Sequence, residues 1–207
     1  CDWSSDVCSS DLFIMRKLLL LTFILASFSM NAQDSKFYAG VGVGYATAGG
    51  EALEGVNGGL SLNFLNLGLR LNETFGITAN LSSTAHTIED VDDVAVGIGT
   101  FSVGPMISFS LSDNISWDLK PQYAFSMKAV FADDSGLVDD VELSGNAFIF
   151  GNSIVFGDGS SGFAFSVDLD YLSGKFTELD ALGASVDIDD ENKINNLKIG
   201  VGLRYNF

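Results

Sequence analysis

One imidazole is present in this chain, His86, and it is the side chain best suited to general-base work near neutral pH. Ser82, Ser83 and Asp90 lie close to it in sequence, the residue types that could accompany such a base. As a signature the set is weak, because Ser and Asp arise by chance in polar loops. Asp187-Ile188-Asp189-Asp190-Glu191 gathers carboxylates that suit a hard cation, yet it lacks the EF-hand spacing and its glycine. A solvated acidic loop explains it more simply. Gly40-Val41-Gly42-Val43-Gly44 has the glycine content of a nucleotide-binding turn but no helix after it. The two cysteines, Cys1 and Cys8, both precede residue 15, so no disulfide or thiolate chemistry is expected in the remainder. No catalytic set, metal or cofactor is therefore expected, and a lipid-modifying enzyme using His86 is the least favoured functional reading.

The charged residues that do share a pattern are Arg70, Asp118, Lys120, Lys128, Asp168, Asp170, Lys198 and Arg204. Each falls on the polar side of a segment whose other side is apolar. In 193–207, Leu197, Ile199, Val201, Leu203, Tyr205 and Phe207 oppose Lys198, Gly200, Gly202 and Arg204. In 162–177, Phe163, Phe165, Val167, Leu169 and Tyr171 oppose Ser166, Asp168 and Asp170. In 115–131, Trp117, Leu119, Tyr123 and Phe125 oppose Asp118, Lys120, Gln122 and Lys128. This alternation has the two-residue period of a strand. Segments 36–47 and 75–85 repeat it. Segments 58–71 and 94–111 change phase midway, as a β-bulge would cause. In 142–156 two apolar sets compete for the same face. The glycines Gly97/Gly99 and Gly200/Gly202 read as spacers on the polar side.

These are eight candidate strands, and their connections alternate in length. Asn72-Glu73-Thr74, Ser112-Asp113-Asn114 and Gly157 to Ser161 are short, whereas 48–56, 86–93, 132–141 and 178–192 are long. Short turns at one end and long loops at the other describe an eight-stranded antiparallel up-and-down transmembrane β-barrel, an all-β fold. An apolar exterior around a charged interior is the inverse of a soluble barrel. In so narrow a lumen, long charged side chains should pair and plug the passage. Acids concentrate at the long-loop end, which holds 17 of the 24 acids in residues 33–207 and no Lys or Arg. Aromatics near strand ends fit two interfacial girdles, with Tyr45, Phe131, Tyr171 and Phe176 at the loop end. The net charge of −17 argues against a nucleic-acid partner.

Met15-Arg16-Lys17, the apolar run from Leu18 to Ala26 and a small polar stretch to Ala32 have the order of a secretory signal peptide, assigned to 15–32. Residues 1–14 resemble translated sequencing-adapter sequence and are read as an artefactual prefix. That leaves 33–207 as the barrel domain.

The signal peptide, the opening strand FYAGVGVGY, the SDN turn and the closing strand KIGVGLRYNF resemble the small bacterial outer-membrane β-barrel family that includes OmpA-like and OmpW-like barrels. The resemblance implies an outer-membrane location, contact with outer-membrane lipid and, for Phe207, Tyr205, Leu203 and Val201, a terminal signal for the barrel-assembly machinery. It also admits an enzyme, since the lipid A palmitoyltransferase is such a barrel. Peptidoglycan binding, which OmpA owes to a domain after its barrel, is not carried over. The expected function is a structural or surface-interaction role, with the acidic loops meeting cations or a surface partner. A narrow or gated pore for small solutes is the alternative, and a monomer is expected.

Overall fold

The computed structural model describes residues 36–89, 94–133, 141–157, 161–181, 184–188 and 192–207. The expected prefix and signal peptide lie outside the described residues. So do Asp90, Asp92, Asp93, Asp134, Asp139, Asp140, Asp189, Asp190 and Glu191 of the long loops.

Nine strands account for nearly all of the described chain: β1 (Lys36–Ala46), β2 (Gly59–Arg70), β3 (Phe75–Thr87), β4 (Val94–Ser112), β5 (Ile115–Asp133), β6 (Val141–Phe156), β7 (Gly162–Ala181), β8 (Ala184–Asp187) and β9 (Lys193–Asn206). Each of β1 to β7 pairs antiparallel with its chain neighbours, and β9 pairs with both β7 and β1. The result is a closed ring of eight strands with no free edge. The ninth strand, β8, is outside the ring. It folds back on β7 from Ala181↔Ala184 to Glu178↔Asp187, so part of the expected 178–192 loop is a short hairpin.

Short turns close by local chemistry. The Asn72 side-chain oxygen accepts from the backbone N–H of Thr74 and Phe75, at 2.9 and 2.7 Å, an Asx turn that reverses the chain in three residues.

Exposure alternates along the regular stretches of the ring strands. Phe163, Phe148, Phe64, Val41 and Ile199 are exposed on the outside, while Asp118, Lys120, Asp168, Lys198 and Arg204 are buried inside. A soluble monomer exposes apolar patches of only a few hundred Å2. Here the apolar surface encircles the wall, and the closed ring leaves no open strand edge to hydrocarbon.

Four register shifts interrupt the ring strands, one of them at Leu111 beside the β4–β5 turn, and the other three set which residues face inward. Phe64 is the extra residue of β2, as the phase change in 58–71 requires. Phe125 is the extra residue of β5 and Thr177 that of β7. The phase change expected midway in 94–111 is absent: the even-numbered residues of β4 face inward from Val96 to Ser108, and the strand's own register shift comes only at Leu111. The mid-strand bulge in this pair is on the neighbouring strand, β5. Gly97 and Gly99 therefore face outward and are not lumen spacers. In β6 the ambiguity resolves with Ala147, Ile149 and Ser153 inside and Phe148, Phe150 and Phe156 outside.

Candidate functional site: the packed lumen

Inward positions of the eight strands meet in layers. Nearest the short turns, Asp118 of β5 receives Arg204 Nη1 of β9 at 2.8 Å and Ser108 Oγ of β4 at 2.7 Å. Arg70 Nη2 of β2 approaches the same carboxylate at 3.5 Å. The Asp118 side chain is 1% exposed, so its charge is held by these donors and not by water. Arg204 also stacks on the buried Tyr38 ring, its guanidinium carbon 4.5 Å from the centroid. That ring sits over Gly68, where an added Cβ would come within 2.0 Å of it.

One layer up, Lys120 Nζ lies 3.8 Å from Asp168. Ser153 and Ser166 donate to the same carboxylate, Ser166 at 2.9 Å. Asp170 and Lys198 face inward as register partners on β7 and β9. Lys198 Nζ donates to Ser82 Oγ at 3.0 Å, and Ser82 shares a hydrogen with Thr100 at 2.8 Å. Across the wall, Ser102 donates to Gln122 at 2.7 Å. The two cavities in this charged half are each about 10 Å3, room for about one water apiece. A wider vestibule of about 280 Å3, lined by Arg70, Ser108, Asp113 and Arg204 among others, opens at the short-turn end.

Seven of the eight expected lumen charges are inside. Lys128 is not. The Phe125 bulge reverses the phase of β5, turning Met127 and Ala129 inward and Lys128 onto the outer rim. There, beyond the Phe101–Phe125 aromatic contact, Lys128 pairs with Glu142, and its side chain is 56% exposed. Their hydrogen bond raises the Lys128 pKa and lowers that of Glu142.

At the long-loop end the lumen is apolar. Val96, Ile98, Met127, Ile149, Leu172, Phe176 and Ile194 project from five strands into one cluster. Leu53, on a single 3-10 turn at Glu51–Leu53, folds down to cap it. Phe176, expected in the girdle, is fully buried here, because it precedes the Thr177 bulge. Phe131 is half-buried against the same cluster. Tyr45 and Tyr171 remain exposed on the outside.

His86 is also inward and nearly fully buried, level with Val96 and Phe131 above the aromatic belt. Its Nδ1 is 2.9 Å from the Asn57 carbonyl and its Nε2 is 2.9 Å from Thr84 Oγ1. Burial lowers its pKa below 6.5, the Asn57 bond opposing and the Lys198 charge reinforcing that shift. Both ring nitrogens are occupied: Nδ1 ties the end of the first long loop to the wall, and Nε2 holds the ring against its own strand. Asn57 N–H to Thr87 O at 2.9 Å and Glu89 N–H to Gly55 O at 2.7 Å complete the tie.

Ser166 was read on the polar side of its strand, but sequence reasoning passed over Ser108, Ser153 and Tyr38. They sit on β4, β6 and β1, strands that carry none of the expected lumen charges, and the one signal available was the parity Tyr38 shares with Gly40, Gly42 and Gly44. Val201, Leu203, Tyr205 and Phe207 are on the outside, where Phe207 contacts Phe37 and Tyr205 at ring-centroid distances of 5.4 and 5.0 Å.

A ring of eight antiparallel strands, apolar outside and polar or packed within, defines a small transmembrane β-barrel of the bacterial outer-membrane type. By sequence the chain matches no family model and no curated protein. By structure it is similar to Neisserial surface protein A, with a TM-score of 0.57 at 13% identity over 83% of this chain and 97% of that one. Ail, the attachment invasion locus protein of Yersinia pestis, aligns over 84% of this chain and 100% of its own, at 14% identity and a TM-score of 0.46. OprG of Pseudomonas aeruginosa aligns over 84% and 97%, at 12% identity and a TM-score of 0.40. The fold is thus that of the eight-stranded outer-membrane barrels.

Proposed function

We propose that the protein is a non-conducting structural and surface-interaction barrel of the outer membrane. The observation that carries this reading is the filling of the lumen from both ends. Ion pairs and hydroxyls close the short-turn half, and a capped apolar cluster closes the long-loop half. The vestibule at the short turns ends blind on Arg70, Asp118 and Arg204. A permeant ion would have to break desolvated charge pairs and then cross an apolar plug, each costing several kcal/mol.

What remains accessible is the loop end. Glu51, Glu54, Glu89, Glu142, Glu178, Asp180 and Asp187 sit there among the described residues, most on extended hairpins or tethered loops. Such a surface favours cations or a basic partner. An enzymatic reading through His86 is disfavoured, because its nitrogens are engaged and it is shielded from solvent. The terminal aromatic row is proposed to serve the assembly machinery, and a monomer is the proposed state.

Planar-bilayer recording on the refolded barrel tests the reading. Silence from folded protein supports it, and discrete reproducible channels would reject it. Replacing the acidic loop residues with Asn and Gln should abolish binding to a cationic surface while the barrel still folds.

A further inference from the structure

The lipid-facing wall has one irregular place. The chain's two prolines, Pro105 on β4 and Pro121 on β5, fall opposite each other in the register of those strands. Pairing runs as far as Val103↔Tyr123 and resumes at Ile107↔Leu119. Neither proline has an N–H to give the ladder, so the hydrogen bonds between them cannot form. Gly104 lets the strands stay close here: a Cβ on it would fall 2.0 Å from the Pro121 carbonyl oxygen. A closed barrel has no edge strand on which to place a proline, and facing the two confines the lost pairing to one spot.

Outside this spot lies a groove of about 400 Å3. Val103, Pro105 and Pro121 line it, with Tyr123, Phe148 and Phe150 alongside, and no charged residue contributes. Tyr123 and Phe148 contact each other at a centroid distance of 5.1 Å, and both remain exposed. Pro121 is four residues from Trp117 and four from Phe125 along the outward row of β5, which puts the groove at mid-belt. Its volume is within the roughly 300–1,000 Å3 of small-ligand sites.

We propose that this groove is a binding site for one acyl chain of a membrane lipid. It is continuous with the apolar surface that hydrocarbon already covers, and an unfilled groove would forfeit dispersion contacts along its whole lining. A protein segment entering at this depth would bring backbone N–H and C=O groups that the apolar lining cannot satisfy. A chain of methylenes brings none. The aromatic faces give it rigid contact area at small entropic cost, so a tail here should exchange more slowly than tails around the rest of the belt.

The test uses the unmodified full-length protein in bilayers containing a phosphatidylethanolamine with a diazirine on one acyl chain. After illumination, adducts should concentrate on the peptides carrying Val103–Pro105 and Tyr123 or Phe148, and an excess of the unlabelled lipid should remove them. Val103→Phe should lower that yield roughly tenfold, the effect of about 1.4 kcal/mol of lost binding. Val167→Phe, elsewhere on the outer wall, should leave it unchanged. Adducts spread evenly around the belt, or equal yields from the two variants, would overturn the proposal.

Discussion

Asp118→Asn removes one negative charge with almost no change in shape. In the folded barrel that carboxylate is buried and receives Arg204 at 2.8 Å and Ser108 at 2.7 Å, with Arg70 at 3.5 Å. The variant leaves two guanidinium groups beside a neutral amide, between a cavity with room for about one water and the vestibule of the short-turn end. Breaking a buried pair by deleting one partner costs about 3–5 kcal/mol, against about 0–1 kcal/mol for an exposed pair. With a urea dependence of about 2 kcal/mol/M, the unfolding midpoint should fall by about 2 M. Tryptophan emission and gel mobility of the barrel refolded in lipid vesicles would report it. Adding Arg204→Gln should recover part of the loss, because the second change removes one of the stranded charges, and the double-mutant cycle isolates that coupling. A loss below about 1 kcal/mol, with no coupling to Arg204, would mean that the lumen is wet enough to screen these charges, and the argument for a plugged lumen would fail with it.

Phe176→Ala empties the centre of the apolar plug and should cost about 3–5 kcal/mol; if bilayers then show conductance where the parent is silent, the cluster is the barrier, and a cost near zero would contradict its packing. His86 has a pKa below 6.5 in the folded state, so the unfolded chain binds more protons below that pH. Its contribution is constant above about pH 6.5 and falls as the pH drops through the folded value. Imidazole NMR should titrate below 6.5, and the Asn57 amide should exchange faster on acidification; a midpoint above 6.5 would refute the buried, neutral assignment. Lys128→Ala, on the exposed rim, should change stability by no more than about 0.5 kcal/mol, whereas a lumen lysine would cost several times that. Phe207→Ala should slow insertion in cells while leaving the folded barrel within about 1.5 kcal/mol of the parent in vitro, since it removes only exterior ring contacts; unimpaired insertion would remove the terminal residue from the assembly signal.

The alternation of apolar and polar residues determined a great deal without any coordinates. Both period and phase are readable wherever a strand is regular, as in β7 below Phe176 and in β9. For such strands the outward aromatics and the inward Asp168, Asp170, Lys198 and Arg204 follow from residue parity alone. Loop lengths then gave the antiparallel order and the end at which acids gather. Parity fails at a bulge, because one inserted residue moves everything after it to the other face. The sequence of β5 shows no break at Phe125, so Lys128 reads as a lumen charge when it is a rim charge. Phe176 is a different case: it keeps the inward parity of Asp168 and Asp170, and only its aromatic type near a strand end made it read as interfacial. The apparent phase change in β4 has the opposite cause, since Val96 and Ile98 are apolar because the lumen itself turns apolar at that level.

Which charges meet was likewise decided only in three dimensions. Asp118 and Arg204 are 86 residues apart and on strands that are not neighbours. Their contact depends on the stagger of the ring and on the space left by glycines and serines between them. The sequence by itself determined that this chain makes a closed wall with an inverted polarity. The tertiary structure decided what fills it, because side-chain pairing across a lumen is a property of register and curvature, which no single strand encodes.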